Sequence, residues 1–289
     1  MLEVGGLAGA GNLSFTESRN YGLGKVTNSD GIGLTGTLGV GQANLSLIDA
    51  DGVDLGSSTT LAGGTLGSLT GFELDSGDAI SGHGRLFGDL ALGTNGTVTG
   101  KSTGLELFGH VSGSGWISDT TIYGNIDVGN SVGQLTLTDV VLGSDNTIVT
   151  VEIGGADSSL YDTITFAGDT ALAGELDIEF INKFVPETGD VFDIFDFESV
   201  NLSGLFNNVS LPALASDLEW DQSNLYTTGE LLVLLSQVPG DFDSDGDVDG
   251  DDFLLWQRNF PILDGTAGSL RGDGNVDGDD FLIWQRNFP

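Results

Sequence analysis

The chain of 289 residues contains no cysteine. That excludes disulfides, thiolate metal sites and a cysteine nucleophile. Stability must then come from an apolar core and from any metal that the chain holds. Basic residues are almost as scarce: eight Lys plus Arg face 43 Asp plus Glu, giving a formal net charge of −35. Nucleic acid and anionic membranes are both disfavoured as partners, because phosphate is held by Lys and Arg. The acidic excess favours divalent cations and an extracellular or salt-rich setting, where screening shortens self-repulsion. No apolar run is long enough to span a bilayer. The opening residues Met1 to Gly6 lack the basic and apolar regions of a signal peptide, so the expected start is a processed or truncated one. Proline is also rare, at five, whereas there are 47 glycines and 39% hydrophobic residues. A disordered chain of this charge would have far fewer apolar residues, so the expectation is a turn-rich folded protein.

From residue 1 to about 150 the chain consists of short apolar/polar alternations broken by Gly, Asn, Asp and Ser. Ala43 to Ile48, Leu105 to Phe108, Thr121 to Val128 and Gln134 to Thr138 are examples. Period two between turn residues means strands, and no window here holds a helical period. A loose Gly-x-Gly-x-Leu/Ile motif starts at Gly9, Gly82 and Gly113. Short strands at this density predict rungs of about 20–30 residues, with Gly at the corners and Leu, Ile and Val stacked inside. A β-sandwich gives a similar pattern. Residues 151–236 have less Gly and more Phe, Leu and acid, with strands expected at Tyr161 to Phe166, Glu175 to Ile181 and Asp190 to Phe197. Glu230 to Leu235 is a continuous apolar run and predicts a buried final strand. This segment is expected to cap the open end of the rungs. Pro239 and Gly240 mark residues 237–240 as a linker.

The run from Val4 to Leu13 resembles the Gly-rich strand repeats of autotransporter-passenger-like bacterial surface proteins. The stretch from Tyr161 to Leu234 resembles their C-terminal segments. The resemblance implies a mostly β fold: a right-handed parallel β-helix over residues 1–150, with a β-rich cap over 151–236.

The strongest chemical signal lies in residues 241–289. Gly250 to Pro261 (GDDFLLWQRNFP) returns 28 residues later as Gly278 to Pro289 with one Leu/Ile change. A twelve-residue calcium loop needs oxygen at positions 1, 3, 5, 9 and 12, a backbone carbonyl at 7 and Gly at 6. Counted from Asp241, the oxygen positions hold Asp241, Asp243, Asp245, Asp249 and Asp252, with Gly246 at 6 and Asp247 at 7. Val248, at position 8, is expected in the core between the two loops. Gathering these carboxylates without a cation would cost several kcal/mol, so Ca²⁺ binding is expected to be coupled to folding. In the second copy Asp273, Asn275, Asp277 and Asp280 occupy positions 5, 7, 9 and 12, but Ser269 and Arg271 stand at 1 and 3. One complete Ca²⁺ site and a second, damaged one follow; Asp264 or a carbonyl could complete the latter. Asp252 and Asp280 sit near helix N-termini, where negative charge is favourable. Phe253, Trp256 and Phe260 form one apolar face, repeated by Phe281, Trp284 and Phe288. The two faces are expected to bury each other, and each helix to stop at its proline, Pro261 or Pro289.

These two loop-helix repeats resemble a dockerin, the module that binds cohesin domains in bacterial extracellular assemblies. By that resemblance the docking positions are Gly250, Asp251, Gln257 and Arg258, and again Gly278, Asp279, Gln285 and Arg286. The family often has small hydroxyl residues where this chain has Gly-Asp. Near-identical copies imply a near-twofold surface that docks in either of two orientations. The expected protein is therefore an extracellular or cell-surface structural protein of a bacterium, not an enzyme. Its β-helix acts as a spacer, and its calcium-clamped module binds a cohesin-like partner or another copy, the latter giving a homopolymer. Two alternatives stand beside it. One is a polysaccharide lyase or hydrolase, for which residues 1–150 offer only Arg19, Lys25, Arg85 and Lys101 as strong cations. The other is a glycan-binding adhesin that uses Trp116, Tyr123 or Trp220, each of which is expected to be buried. His83 and His110 are expected at the surface, Asp49 to Asp54 in a turn, and Asp190, Asp193 and Asp196 as solvated edge carboxylates.

Overall fold

The structure, a computed structural model, describes residues 8–9, 12–15, 23–27, 32–34, 37–42, 44–48, 53–129, 131–198, 200–216, 218–236, 238–243, 245–261 and 276–289. Most of the Val4 to Leu13 run, the Asp49 to Gly52 part of the expected turn, and Arg19 lie outside them. Among the described residues the protein is mostly β, with two helices near its C-terminus.

The alternation read from the sequence sets the strands and their faces. In Gln134–Thr138 (QLTLT) Leu135 and Leu137 are buried, and in Ile148–Ile153 (IVTVEI) Val149, Val151 and Ile153 are buried. These strands pair in parallel rather than as hairpins, each with the strand about 20 residues on, a spacing that later widens to about 30. Three parallel ladders result. One column of the second ladder runs Leu38, Thr59, Ile80, Val98, Ile117, Leu137 and Phe166. All seven side chains are buried. Thr59 is tolerated there because its hydroxyl donates to the Leu55 carbonyl at 3.1 Å.

Some strands bend at glycine and serve more than one ladder. Leu90–Phe108 pairs through its start with Phe72–Leu74, through its middle with Ala79 to Gly82, and through its end with Gly84 to Phe87. The register shifts between Gly82 and Gly84 and between Leu92 and Gly96, which are bulges at the corners. Gly113 shows why a side chain is excluded at such a corner. Its φ is +106°, and a Cβ there would stand 2.0 Å from the carbonyl oxygen of Leu92, its partner on the neighbouring parallel strand. Gly113→Ala is expected to destabilise this unit by about 2–4 kcal/mol, read from urea unfolding. A midpoint equal to the wild type would contradict this close approach.

Two aromatic expectations are corrected. Trp116 is 47% exposed and Tyr123 38% exposed. Tyr123 ends an outer stack with Phe108 and Phe87, whose ring centroids are 4.7 Å and 4.5 Å apart in turn and nearly parallel. Gly143 leaves the space that the Tyr123 ring covers on its other side. The run Glu230–Leu235 forms a strand, pairing antiparallel with Val191–Asp193, but it is not buried throughout. Leu231 and Val233 face inward, whereas Leu234 and Leu235 are exposed. Asp193 and Asp196 are exposed as expected, while Asp190 is half-buried.

The chain divides into two compact units. The first comprises Met1–Pro186, Asp190–Ala213 and Asp221–Leu232; the second comprises Glu187–Gly189, Leu214–Trp220 and Val233–Pro289.

Within the first unit Asp162 is fully buried. It ties two segments together, accepting from the Gly133 N–H at 2.6 Å and the Glu152 N–H at 2.8 Å. Burial pushes its carboxyl up to about 7 despite these two donors, and the charges of Glu152 and Asp127 add to the rise. A carboxyl raised on folding binds its proton more tightly in the folded state. Its contribution to stability therefore declines as pH rises from about 4 to about 7 and levels off above. The urea midpoint of the wild type is expected to fall across this window, and that of Asp162→Asn to fall less. Equal slopes would show that Asp162 is not the group responsible.

Candidate metal centre

The first acidic loop folds around the carboxylate at its end. Asp252 is fully buried, and its Oδ1 accepts from the Phe242 and Asp243 N–H groups at 2.6 and 3.1 Å. Its Oδ2 accepts from the Asp249 N–H at 2.7 Å. Asp241 draws the tip of the loop inward by accepting from the N–H groups of Asp245 and Gly246 at 3.2 and 3.0 Å. Gly246 has φ of +100°, as a turn at loop position 6 requires. Carboxylate oxygens of Asp241, Asp243 and Asp252 lie within 4.8 Å of one another, and so do those of Asp247, Asp249 and Asp252. Asp252 is common to both sets. Asp245 belongs to neither, and its Oδ1 accepts from the Asp247 N–H at 3.2 Å.

This is an all-oxygen donor set of high negative charge, the kind that a hard divalent cation takes. Crowding acts on the carboxyls of two members. Partial desolvation, then the charges of Asp245 and Asp252, raise the carboxyl of Asp243 above its ordinary value. The charge of Asp245 comes first in raising that of Asp247.

The same residues start the helix. Asp249 is the N-cap of α1 (Gly250–Asn259), accepting from the Asp251 N–H at 2.7 Å, and Asp252 closes a capping box from the third helical position. Loop positions 9 and 12 thus have a second task that the loop template alone does not show. The second copy repeats it. Asp277 caps α2 (Gly278–Asn287), and Asp280 is buried and accepts from the Asp277 N–H at 2.7 Å. Asp273 and Asn275 lie outside the described residues, as do Asp264, Ser269 and Arg271. Each helix ends one residue earlier than its proline implies, at an extended Phe260 or Phe288, because a residue preceding proline is pushed out of the helical region.

The two repeats clamp each other reciprocally. The Trp256 indole N–H donates to the Asp277 carbonyl at 2.7 Å, and the Trp284 indole N–H donates to the Asp249 carbonyl at 2.6 Å. Phe253 meets Trp284, and Trp256 meets Phe281, each with centroids 5.0 Å apart. Val248 and Val276 are buried, Val248 as expected of loop position 8. The sequence reading paired these aromatic faces but missed the indole–carbonyl bonds. The available signal was that a packed tryptophan N–H needs an acceptor. The faces are also less enclosed than expected: Phe260 and Phe288 are each 46% exposed, and the other four rings are half-buried.

The outer surface carries all eight expected docking residues. Gly250, Asp251, Gln257 and Arg258 are exposed on the first copy, as are Gly278, Asp279, Gln285 and Arg286 on the second. Leu254 and Leu282 lie beside them at 41% and 42% exposure.

Two other clusters lie in the first unit. Asp54, Asp75 and Asp78 bring carboxylate oxygens within 4.8 Å of one another. A groove of about 500 Å³ is lined by His110, Asp127, Glu152 and Glu179 among others, with His110 Nε2 3.0 Å from Asp127 Oδ2. His83 is half-exposed on a separate strand. No protein-family model matches the chain, and no curated protein matches it.

Proposed function

We propose that the chain is an extracellular structural protein of a bacterial surface, a right-handed parallel β-helix spacer carrying a calcium-clamped, dockerin-like module. The module docks to a cohesin-like partner or to another copy, and the chain acts by binding rather than by turnover. The observation that carries this reading is the convergence of four loop aspartates, Asp241, Asp243, Asp247 and Asp249, on the buried Asp252, at the start of a helix whose outer face is exposed. A cation there neutralises the cluster and fixes the helix that presents the docking residues. The parallel ladders, with their buried inward side chains, support the spacer, since a β-helix is built from such pairings. The test is sedimentation and electron microscopy in millimolar calcium and in excess chelator. Loss of association or of partner binding on chelation is expected. Assembly that is indifferent to calcium would remove the module from this role.

A second reading, glycan binding, draws on Trp116. Its half-exposed ring lies between the in-register Thr97 and Thr136, with no aromatic neighbour among the described residues. Tyr123 is less suited, since Phe108 and Gly143 cover its two sides. Glycan-array binding that is lost in Trp116→Ala supports this reading; binding that survives the substitution dismisses it.

A further inference from the structure

The charges in this protein are distributed unevenly in a way that names a contact. Arg258 and Arg286 are exposed at equivalent places on the two helices, and among the described residues neither forms an ion pair. In a chain with 43 acidic residues, each of these guanidiniums stands on the outer side of its helix one turn from an exposed leucine, Leu254 or Leu282.

The first unit holds the complementary surface. Glu152 and Glu179 stand in register on adjacent parallel strands, and Asp127 lies one strand further along, in register with Thr150. Side chains two residues apart on a strand share a face, which puts all three carboxylates on one side. They line the groove of about 500 Å³, and its only basic side chain is His110. Burial, then the charges of Glu179 and Asp127, raise the carboxyl of Glu152 above its ordinary value, so the groove is short of positive charge. Paired carboxylates at strand spacing suit the planar fork of a guanidinium.

We infer that the helix face bearing Arg258 and Arg286 docks into the acidic groove of a second copy of this chain. This rests on the assembly reading above and names the partner and its surface. The contact joins unlike surfaces, so it repeats from copy to copy, closing into a ring or running on as a filament according to its rotation, and the near-identical helices offer the groove two equivalent arginines. A basic patch meeting an acidic one also overcomes, at short range, the repulsion between two strongly acidic chains, which salt screens beyond about 8 Å.

The test is charge reversal in the full chain, followed by sedimentation velocity in millimolar calcium. Glu152→Lys with Glu179→Lys, and separately Arg258→Glu with Arg286→Glu, are each expected to weaken self-association at least about tenfold. The variant carrying all four substitutions is expected to recover most of it. Circular dichroism and calcium titration should match the wild type in every variant, since none of the four residues is in the loop. Wild-type chains that stay monomeric in calcium, double variants that associate as well as the wild type, or a quadruple variant no better than the doubles would each overturn the inference. A change in calcium stoichiometry in the groove variant would make the groove a cation site and overturn it as well. Calcium-dependent association that ignores the groove variants leaves the proposed function of the module standing, whereas association independent of calcium ends both.

Discussion

Asp252→Ala is expected to unfold the C-terminal module at every calcium concentration while leaving the β unit intact. The side chain is fully buried and accepts three backbone N–H groups, from Phe242, Asp243 and Asp249. Each donor left without a partner costs about 1–3 kcal/mol. A module of roughly 50 residues without disulfides keeps only about 3–5 kcal/mol in all, so three orphaned donors exceed its reserve. The loop also loses the one carboxylate common to both oxygen sets. Asp247→Asn provides the contrast. Asp247 is exposed, and the charge of Asp245 is first among the causes that raise its carboxyl. Removing its charge should leave the calcium-free module as stable as before or more so, with a modest loss of calcium affinity. Near-UV circular dichroism and tryptophan fluorescence over a calcium titration would read both. A folded Asp252→Ala module would mean that the loop is not organised around this carboxylate.

Trp284→Ala is expected to weaken calcium binding by the first loop, although Trp284 lies 35 residues from Asp249 in the chain. The bond from its indole to the Asp249 carbonyl holds the N-cap of α1, and Asp249 is itself in the loop. The substitution also removes ring contacts with Phe253, Phe281 and Phe288. Because the ring is half-buried, the expected loss of module stability is about 2–4 kcal/mol, at the low end for a core tryptophan. Trp256→Ala should cost a similar amount, since it donates to the Asp277 carbonyl and packs on Phe253, Phe260 and Phe281. The double variant should cost less than the sum, because each substitution opens the same interface. Trp284→Phe, which keeps a ring but removes the N–H, separates the two effects and should lose about 1 kcal/mol. Thermal melts and calorimetric calcium titration are the measurements. Unchanged first-loop affinity in Trp284→Ala would show that the two repeats act independently.

Local rules determined much of this protein from the sequence. Alternation placed Gln134–Thr138 and most of the later strands with the correct inward faces, because a strand with one face in a core must alternate. The loop template picked out a loop in which Asp241, Asp243, Asp247, Asp249 and Asp252 bring carboxylate oxygens together while Asp245 stands apart. It also placed Val248 in the core. Composition alone excluded disulfides.

What the sequence left open depends on which residues meet across distance. Trp116 and Tyr123 lie within alternating strands, but whether an aromatic faces the core depends on which side of the sheet is filled, and both turned outward. The Glu230–Leu235 run looked buried on both faces, but only Leu231 and Val233 meet the core, and its end is exposed. The capping roles of Asp249 and Asp252 required the helix start and the loop end to coincide in space, and the crossed tryptophan bonds required the two repeats to face each other. The acidic groove arose only when parallel pairing put Glu152 beside Glu179, residues far apart in the chain. Spacing within one loop or strand is written into adjacent residues, so the sequence alone determined the acidic loop, the duplicated helix and the strand alternation. Register between rungs and contact between repeats are long-range choices, and only the tertiary structure decided the exposed aromatics, the crossed clamp and the groove.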